Sequence, residues 1–212
     1  MKLQIKNEIC CPQNTIDLNF LAHAFLSFGN TEVLIGNLIA DSVKGKPPLH
    51  YSDNIRAGII LHREIDHFTD NHPIYKRSLN QIKPTYKRFS GIIIDIFYDH
   101  FLAHNWTMYS DEPLEEFADN CYETLYRNFE ILPEKSKHIL PFMKNQNWFV
   151  SYANMAGLQK VFDGMSRRIK HPTFMENSLT ELREHYVDLE GDFHLFFNEL
   201  ICFSNERLLE LG

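Results

Sequence analysis

The 212-residue sequence predicts an all-α fold, a single helical-bundle domain. Hydrophobic residues recur at helical spacing over almost the whole length, and no segment shows the strict alternation of a half-buried strand. Proline, glycine and asparagine punctuate that pattern at intervals suited to helices. Composition agrees: 44% hydrophobic residues, 23% charged residues and seventeen phenylalanines supply an ordinary globular core. An intrinsically disordered chain and a collagen-like fibre are excluded.

Residues 1–16 read as an N-terminal extension of weak pattern, and 17–212 as the helical domain. A first helix is expected over 17–27, stopped by Gly29-Asn30, and a second over 31–43, ended by Gly45-Lys46-Pro47-Pro48. Ser52 and Asp53 cap a third that runs to 71, ahead of Pro73. A short fourth covers 74–82, and a fifth starts at Pro84, tolerated in a first turn, and reaches 105. After Ser110-Asp111-Glu112-Pro113 a sixth runs to 131. Pro133 and Pro141 bracket a further short helix. The remaining helices cover 155–168 and 174 to the C-terminus, with a break expected near Gly191.

No run approaches the ~20 apolar residues of a membrane span. The start, Met1 to Glu8, lacks the apolar stretch of a signal peptide, so a cytoplasmic location is expected. Cys10, Cys11, Cys121 and Cys202 form no C-x-x-C pair, which suits reduced thiols rather than a disulfide framework or zinc ribbon. With 21 basic against 28 acidic residues, the net charge of −7 argues against a nucleic-acid-coating protein. The charge is uneven: residues 41–90 hold nine Lys/Arg against five Asp/Glu, whereas 171–212 hold two against nine. The basic segment could attract an anionic substrate or acidic partner, or be ordinary solvated surface.

The densest chemistry lies in Leu61-His62-Arg63-Glu64-Ile65-Asp66-His67-Phe68-Thr69-Asp70. On a helix His62, Asp66 and Asp70 stack along one face. An imidazole above two carboxylates is costly to bury unless the charges are paired, and a divalent metal pairs them; an exposed polar face is the other reading. Asp70 stands about 12 Å along the axis from His62, so one ion cannot bind both. In Asp95-Ile96-Phe97-Tyr98-Asp99-His100-Phe101-Leu102-Ala103-His104, Asp95 and Asp99 share a face, as do His100 and His104, on a strongly apolar helix. His100 is turned about 100° from Asp99. His23 sits among Phe20, Leu21, Ala22 and Phe25, a setting that more often holds a core histidine. Asp41 follows the second helix, at the end where its dipole disfavours a carboxylate and a cation would favour one. There is no G-x-S-x-G, P-loop, G-x-G-x-x-G or His-Glu-x-x-His motif. The layout of His and Asp on separate helices is that of metal-dependent phosphohydrolases.

The segments Asn19-Phe20-Leu21-Ala22-His23, Gly36-Asn37-Leu38-Ile39-Ala40-Asp41, Gly58 to Pro73, Asp99-His100-Phe101-Leu102 with Trp106, and Gly164-Met165-Ser166-Arg167-Arg168 resemble, in the same order, the acyl carrier protein phosphodiesterase family. The resemblance implies an HD-domain-like fold and hydrolysis of the phosphodiester joining 4′-phosphopantetheine to a serine of holo-acyl carrier protein. It implies a divalent ion, Mn²⁺ before Fe²⁺, Mg²⁺ or Zn²⁺. The candidate ligands are His23, Asp41, His62, Asp66, Asp95, Asp99 and His100. Catalytic roles fall on Asp66, Asp99 and Arg63, and phosphate contact or carrier docking on Arg63, Arg167 and Arg168, with the basic 41–90 segment facing the carrier. The extension before Asn19 departs from the family pattern, as does Phe25, where a second histidine is expected. An HD-like phosphohydrolase of nucleotides or other small phosphodiesters, and a helical interaction protein without catalysis, are the alternative readings.

Overall fold

The structure, a computed structural model, describes residues 20–168 and 173–212. The expected extension over 1–16, with Cys10 and Cys11, lies outside the described residues, as does the side chain of Arg168. Among the described residues the chain forms α-helices linked by short 3-10 turns, with no strand.

Helices α1 (Phe20–Phe25), α2 (Thr31–Ile39) and α3 (Asp53–Asn71) build the centre of the molecule. The Asn30 side chain accepts the Glu32 and Val33 amides to start α2, and Ser52 Oγ accepts the Ile55 amide to start α3. α2 and α3 touch through backbone, because both carry glycine at the crossing. A Cβ on Gly36 would stand 2.0 Å from the Ile55 carbonyl oxygen, and one on Gly58 2.3 Å from that of Val33. This close approach brings the end of α2 and its 3-10 turn, Ala40–Ser42, against the turn of α3 that follows Gly58.

Helices α4 (Pro73–Tyr86) and α11 (Tyr186–Leu211) pack on α3, and α5 (Ser90–His104) packs on α1, α4 and α11. α5 is buried nearly all round, from Ile93 and Ile94 to Leu102 and Ala103, which explains its apolar sequence without a membrane. No described helix is long and apolar enough to cross one. Arg207 of α11 forks onto Glu64 of α3 at 2.8 and 2.6 Å, and the buried Asp192 of α11 binds Arg77 and Ser78 of α4. α6 (Leu114–Arg127), α7 (Glu134–Asn145), α8 (Trp148–Ser151), α9 (Met155–Arg168) and α10 (Ser178–Glu184) complete the fold.

Several boundaries differ from the sequence expectation. α1 ends at Phe25, α2 at Ile39 and α6 at Arg127, the last two continuing as 3-10 turns. Pro84 does not open the fifth helix; it lies inside α4, which ends only where Lys87 takes a positive φ of 51°. Likewise Pro141 lies inside α7 rather than bounding it. An interior proline costs about 3 kcal/mol. Ile82 and Tyr86 flank Pro84, Leu140 and Met143 flank Pro141, and all four are buried; each large buried side chain repays about 1.5–3 kcal/mol. Gly191 lies within α11, anchored by buried Leu189 and Phe193, and the break falls earlier, at His185.

Candidate metal centre

α3 presents His62 and Asp66 one turn apart, α1 presents His23, and the 3-10 turn after α2 presents Asp41. The Gly36–Gly58 contact sets the Asp41 side against the His62 side. His62 Nε2 is 3.2 Å from Asp41 Oδ1 and 3.2 Å from Asp66 Oδ2, while His23 Nε2 is 3.2 Å from Asp66 Oδ1. The two imidazoles stack with centroids 3.9 Å apart. His23 and His62 side chains are 2% and 5% exposed, Asp41 and Asp66 22% and 34%, so the carboxylates form the mouth of the cluster and the imidazoles its floor.

Asn37, on the turn of α2 after Gly36, sets the chemistry of His23. Its Nδ2 donates to the His23 carbonyl at 2.8 Å, which fixes the amide so that Oδ1 faces the ring. His23 Nδ1 therefore donates to Asn37 Oδ1 at 2.8 Å. In the neutral ring this leaves a lone pair on Nε2, an atom that is buried and has no hydrogen-bond partner although a carboxylate oxygen stands beside it. A lone pair facing a carboxylate is repulsive unless a proton or a metal cation lies between them. The donor set, imidazole nitrogens and carboxylate oxygens from His23, His62 and Asp66 within 4.8 Å of one another, suits a divalent first-row ion.

Burial alone would lower the His23 pKa, but the neighbouring Asp66, then the charge of Asp41 and the Asn37 bond, carry it above 6.5. Burial would raise Asp41; the His62 contact and charge, then His23 and Lys135, hold it below the usual carboxylate value. Asp41 thus retains its negative charge beside the two imidazoles.

The other expected ligands make their contacts elsewhere. Asp99, fully buried on α5, accepts the Leu21 amide at 3.0 Å and the Ala22 amide at 2.9 Å. It secures the first turn of α1, the helix that carries His23; burial pushes its pKa up to about 7 against those two bonds. Asp95 accepts from the Tyr75 hydroxyl at 2.8 Å. His100, on a different face of α5, bonds the Tyr152 carbonyl through Nδ1 at 2.8 Å and the Tyr186 hydroxyl through Nε2 at 3.1 Å, and its pKa is lowered by burial. The expected grouping of Asp95 and His100 with His62 is therefore not what the contacts form: helical period fixes which residues share a face of α5 but not which neighbour that face meets. His104 is exposed beside the Ala153 carbonyl, and Asp70 is exposed a turn beyond Asp66. Phe25 packs edge-on against Trp106, centroids 5.6 Å apart, so an aromatic core occupies the place of the expected second histidine.

Arg63 does not extend toward the cluster as a phosphate fork. Its two terminal nitrogens donate to the Val43 and Gly45 carbonyls, each at 2.6 Å, and pin the loop after Asp41. Arg167 donates through Nε to the Asp163 carbonyl and lines a cavity of about 720 Å³ with Trp148, Lys160 and Asn145. Asn37 is the functional residue the sequence reading passed over. An amide inside an apolar helix was the one signal available for it.

A family model described as "Acyl carrier protein phosphodiesterase" matches residues 18–200. Among curated proteins, the acyl carrier protein phosphodiesterase of Photorhabdus laumondii is 34% identical over 181 residues, covering 85% of this chain and 91% of that protein. Those of Pectobacterium atrosepticum and Klebsiella pneumoniae are each 32% identical over 193 residues, covering 91% of this chain and all of theirs. No solved structure matches the chain.

Proposed function

The chain belongs to the acyl carrier protein phosphodiesterase family and is a phosphoric diester hydrolase, and from that premise we propose that it removes 4′-phosphopantetheine from the serine of holo-acyl carrier protein at a divalent-ion site formed by His23, His62, Asp66 and Asp41. The observation that supports the metal reading is the convergence of buried His23 and His62, their rings stacked, on the two oxygens of Asp66, each at 3.2 Å. When bound, a divalent ion polarises a phosphoryl oxygen and makes water nucleophilic near neutral pH. The protein's part is to keep its donors aimed and ionised. Asn37 fixes the His23 tautomer, Asp99 fixes the start of α1, and the Gly36–Gly58 crossing fixes Asp41 against His62. The partly exposed carboxylates leave the mouth open to a phosphodiester carried on another protein, above a floor of buried imidazoles.

Incubating holo-carrier with the chain and Mn²⁺ tests the reading. Loss of the phosphopantetheine mass supports it, and an unchanged carrier mass across a series of divalent ions refutes it.

Asn37→Leu is expected to weaken Mn²⁺ binding roughly 10–100-fold, the usual cost of removing a ligand's hydrogen-bond partner. Titration with Mn²⁺ checks this, with circular dichroism to show that the helices persist. Unchanged affinity would remove Asn37 from the site.

A further inference from the structure

We propose that a lysine rim around Asp41, made by Lys44 and Lys46 on one side and Lys135 on the other, is the docking surface for a protein substrate whose surface beside the modified residue is acidic. The inference rests on the hydrolase reading above and adds to it which face of the chain meets the carrier. Three contacts build the rim. Arg63 holds the Val43 and Gly45 carbonyls, so the loop that bears Lys44 and Lys46 is fixed three to five residues beyond Asp41. Ser42 Oγ meets Ser136 Oγ at 3.1 Å, which places the start of α7, and Lys135 with it, against the turn that carries Asp41. The Tyr51 hydroxyl donates to the Ile131 carbonyl at 3.1 Å and ties the far end of the same loop to the segment before α7.

The charge of this rim is local, and Lys135 stands near enough to Asp41 to act on its carboxylate. Lys44, Lys46 and Lys135 are exposed and none takes part in an ion pair among the described residues, while Glu134 is paired with Lys137 at 3.1 Å. Elsewhere in the basic 41–90 segment Arg56 pairs with Asp53 and Arg77 with Asp192, while Lys83, Lys87 and Arg88 are exposed at the far end of α4 and beyond it. What sets the rim apart on a chain of net charge −7 is its attachment to the turn that carries Asp41. Two apolar side chains accompany it, Leu49 at 86% and Ile131 at 41% exposure. Their setting beside unpaired lysines suits a protein surface with small apolar contacts inside an acidic field, and not a small free phosphodiester, which needs no such span.

The test is the dissociation constant of holo-acyl carrier protein for the full chain, measured at low and high salt. The variants are a triple Lys44→Glu, Lys46→Glu, Lys135→Glu chain and a distal Lys76→Glu, Lys83→Glu control. The rim variant is expected to bind about tenfold or more weakly at low salt, the wild type to weaken as salt rises, and the control to change less than about twofold. Circular dichroism and Mn²⁺ uptake verify that the rim variant is folded. Equal affinity of rim variant and wild type, or equal loss in the distal control, would overturn the assignment. Turnover is read in parallel. Carrier held through the rim without arm release counts against the hydrolase reading while supporting the docking surface.

Discussion

Asp66→Asn is expected to abolish turnover, lowering the rate of arm release by about a thousandfold or more, with the helices intact. Among the described residues Asp66 is the one carboxylate that contacts both imidazoles, at 3.2 Å through each of its oxygens. The amide has nearly the same shape but no charge, so it neither balances a divalent ion nor holds His23 and His62 against each other. Metal assistance is worth several kcal/mol at the transition state, and each 1.36 kcal/mol is about tenfold in rate. Asp66 is partly exposed, so the fold does not depend on it. Single-turnover release followed by the mass of the carrier measures the loss. A variant retaining a tenth of wild-type activity would place the chemistry elsewhere.

The second large effect is expected from a single methyl group far from any reacting atom. In Gly58→Ala the new Cβ would lie 2.3 Å from the Val33 carbonyl oxygen and 3.0 Å from Gly36 Cα, both rigid backbone. Alanine favours helix over glycine by about 1 kcal/mol, but overpacking between two helices costs about 1–3 kcal/mol or more, and sterics win. The helices must part. Asp41 follows one of them and His62 and Asp66 ride on the other, so parting opens the cluster. A displacement of about 1 Å in a catalytic array can cost on the order of 100-fold. The expected result is a lower melting temperature together with a loss of activity that exceeds the loss of folded protein. A variant as stable and active as the wild type would show that the backbone contact is not what sets the site.

Much of this was legible in the sequence. The bounds of α3 follow from the Ser52 cap and Pro73, and its i, i+4 spacing put His62 and Asp66 on one face. Asp41 was legible through an unfavourable helix end, whereas the apolar run around His23 favoured a core histidine and only the family resemblance made it a candidate. Where reading failed, the deciding term was tertiary. Pro84 and Pro141 signal boundaries locally, yet buried Ile82, Tyr86, Leu140 and Met143 outweigh them. Asp95 and Asp99 share a face, yet one meets a tyrosine hydroxyl and the other two backbone amides. Arg63 has the right chemistry for phosphate, but two carbonyls of the loop after Asp41 claim it. The partners of Asp95, Asp99 and Arg63 are not near in sequence, so no local pattern announces them.

The claim on which the rest depends is that His23, His62, Asp66 and Asp41 hold a divalent ion. Binding of Mn²⁺, followed by loss of the free-ion electron paramagnetic resonance signal on adding the chain, tests it most directly. The wild type is expected to take up Mn²⁺, more tightly as pH rises, because His23, its pKa raised above 6.5, must lose its proton to coordinate. His62→Ala is expected to abolish uptake with its circular dichroism unchanged. A wild-type chain that leaves the Mn²⁺ signal untouched at every pH, or a His62→Ala chain that binds as well as the wild type, would contradict it.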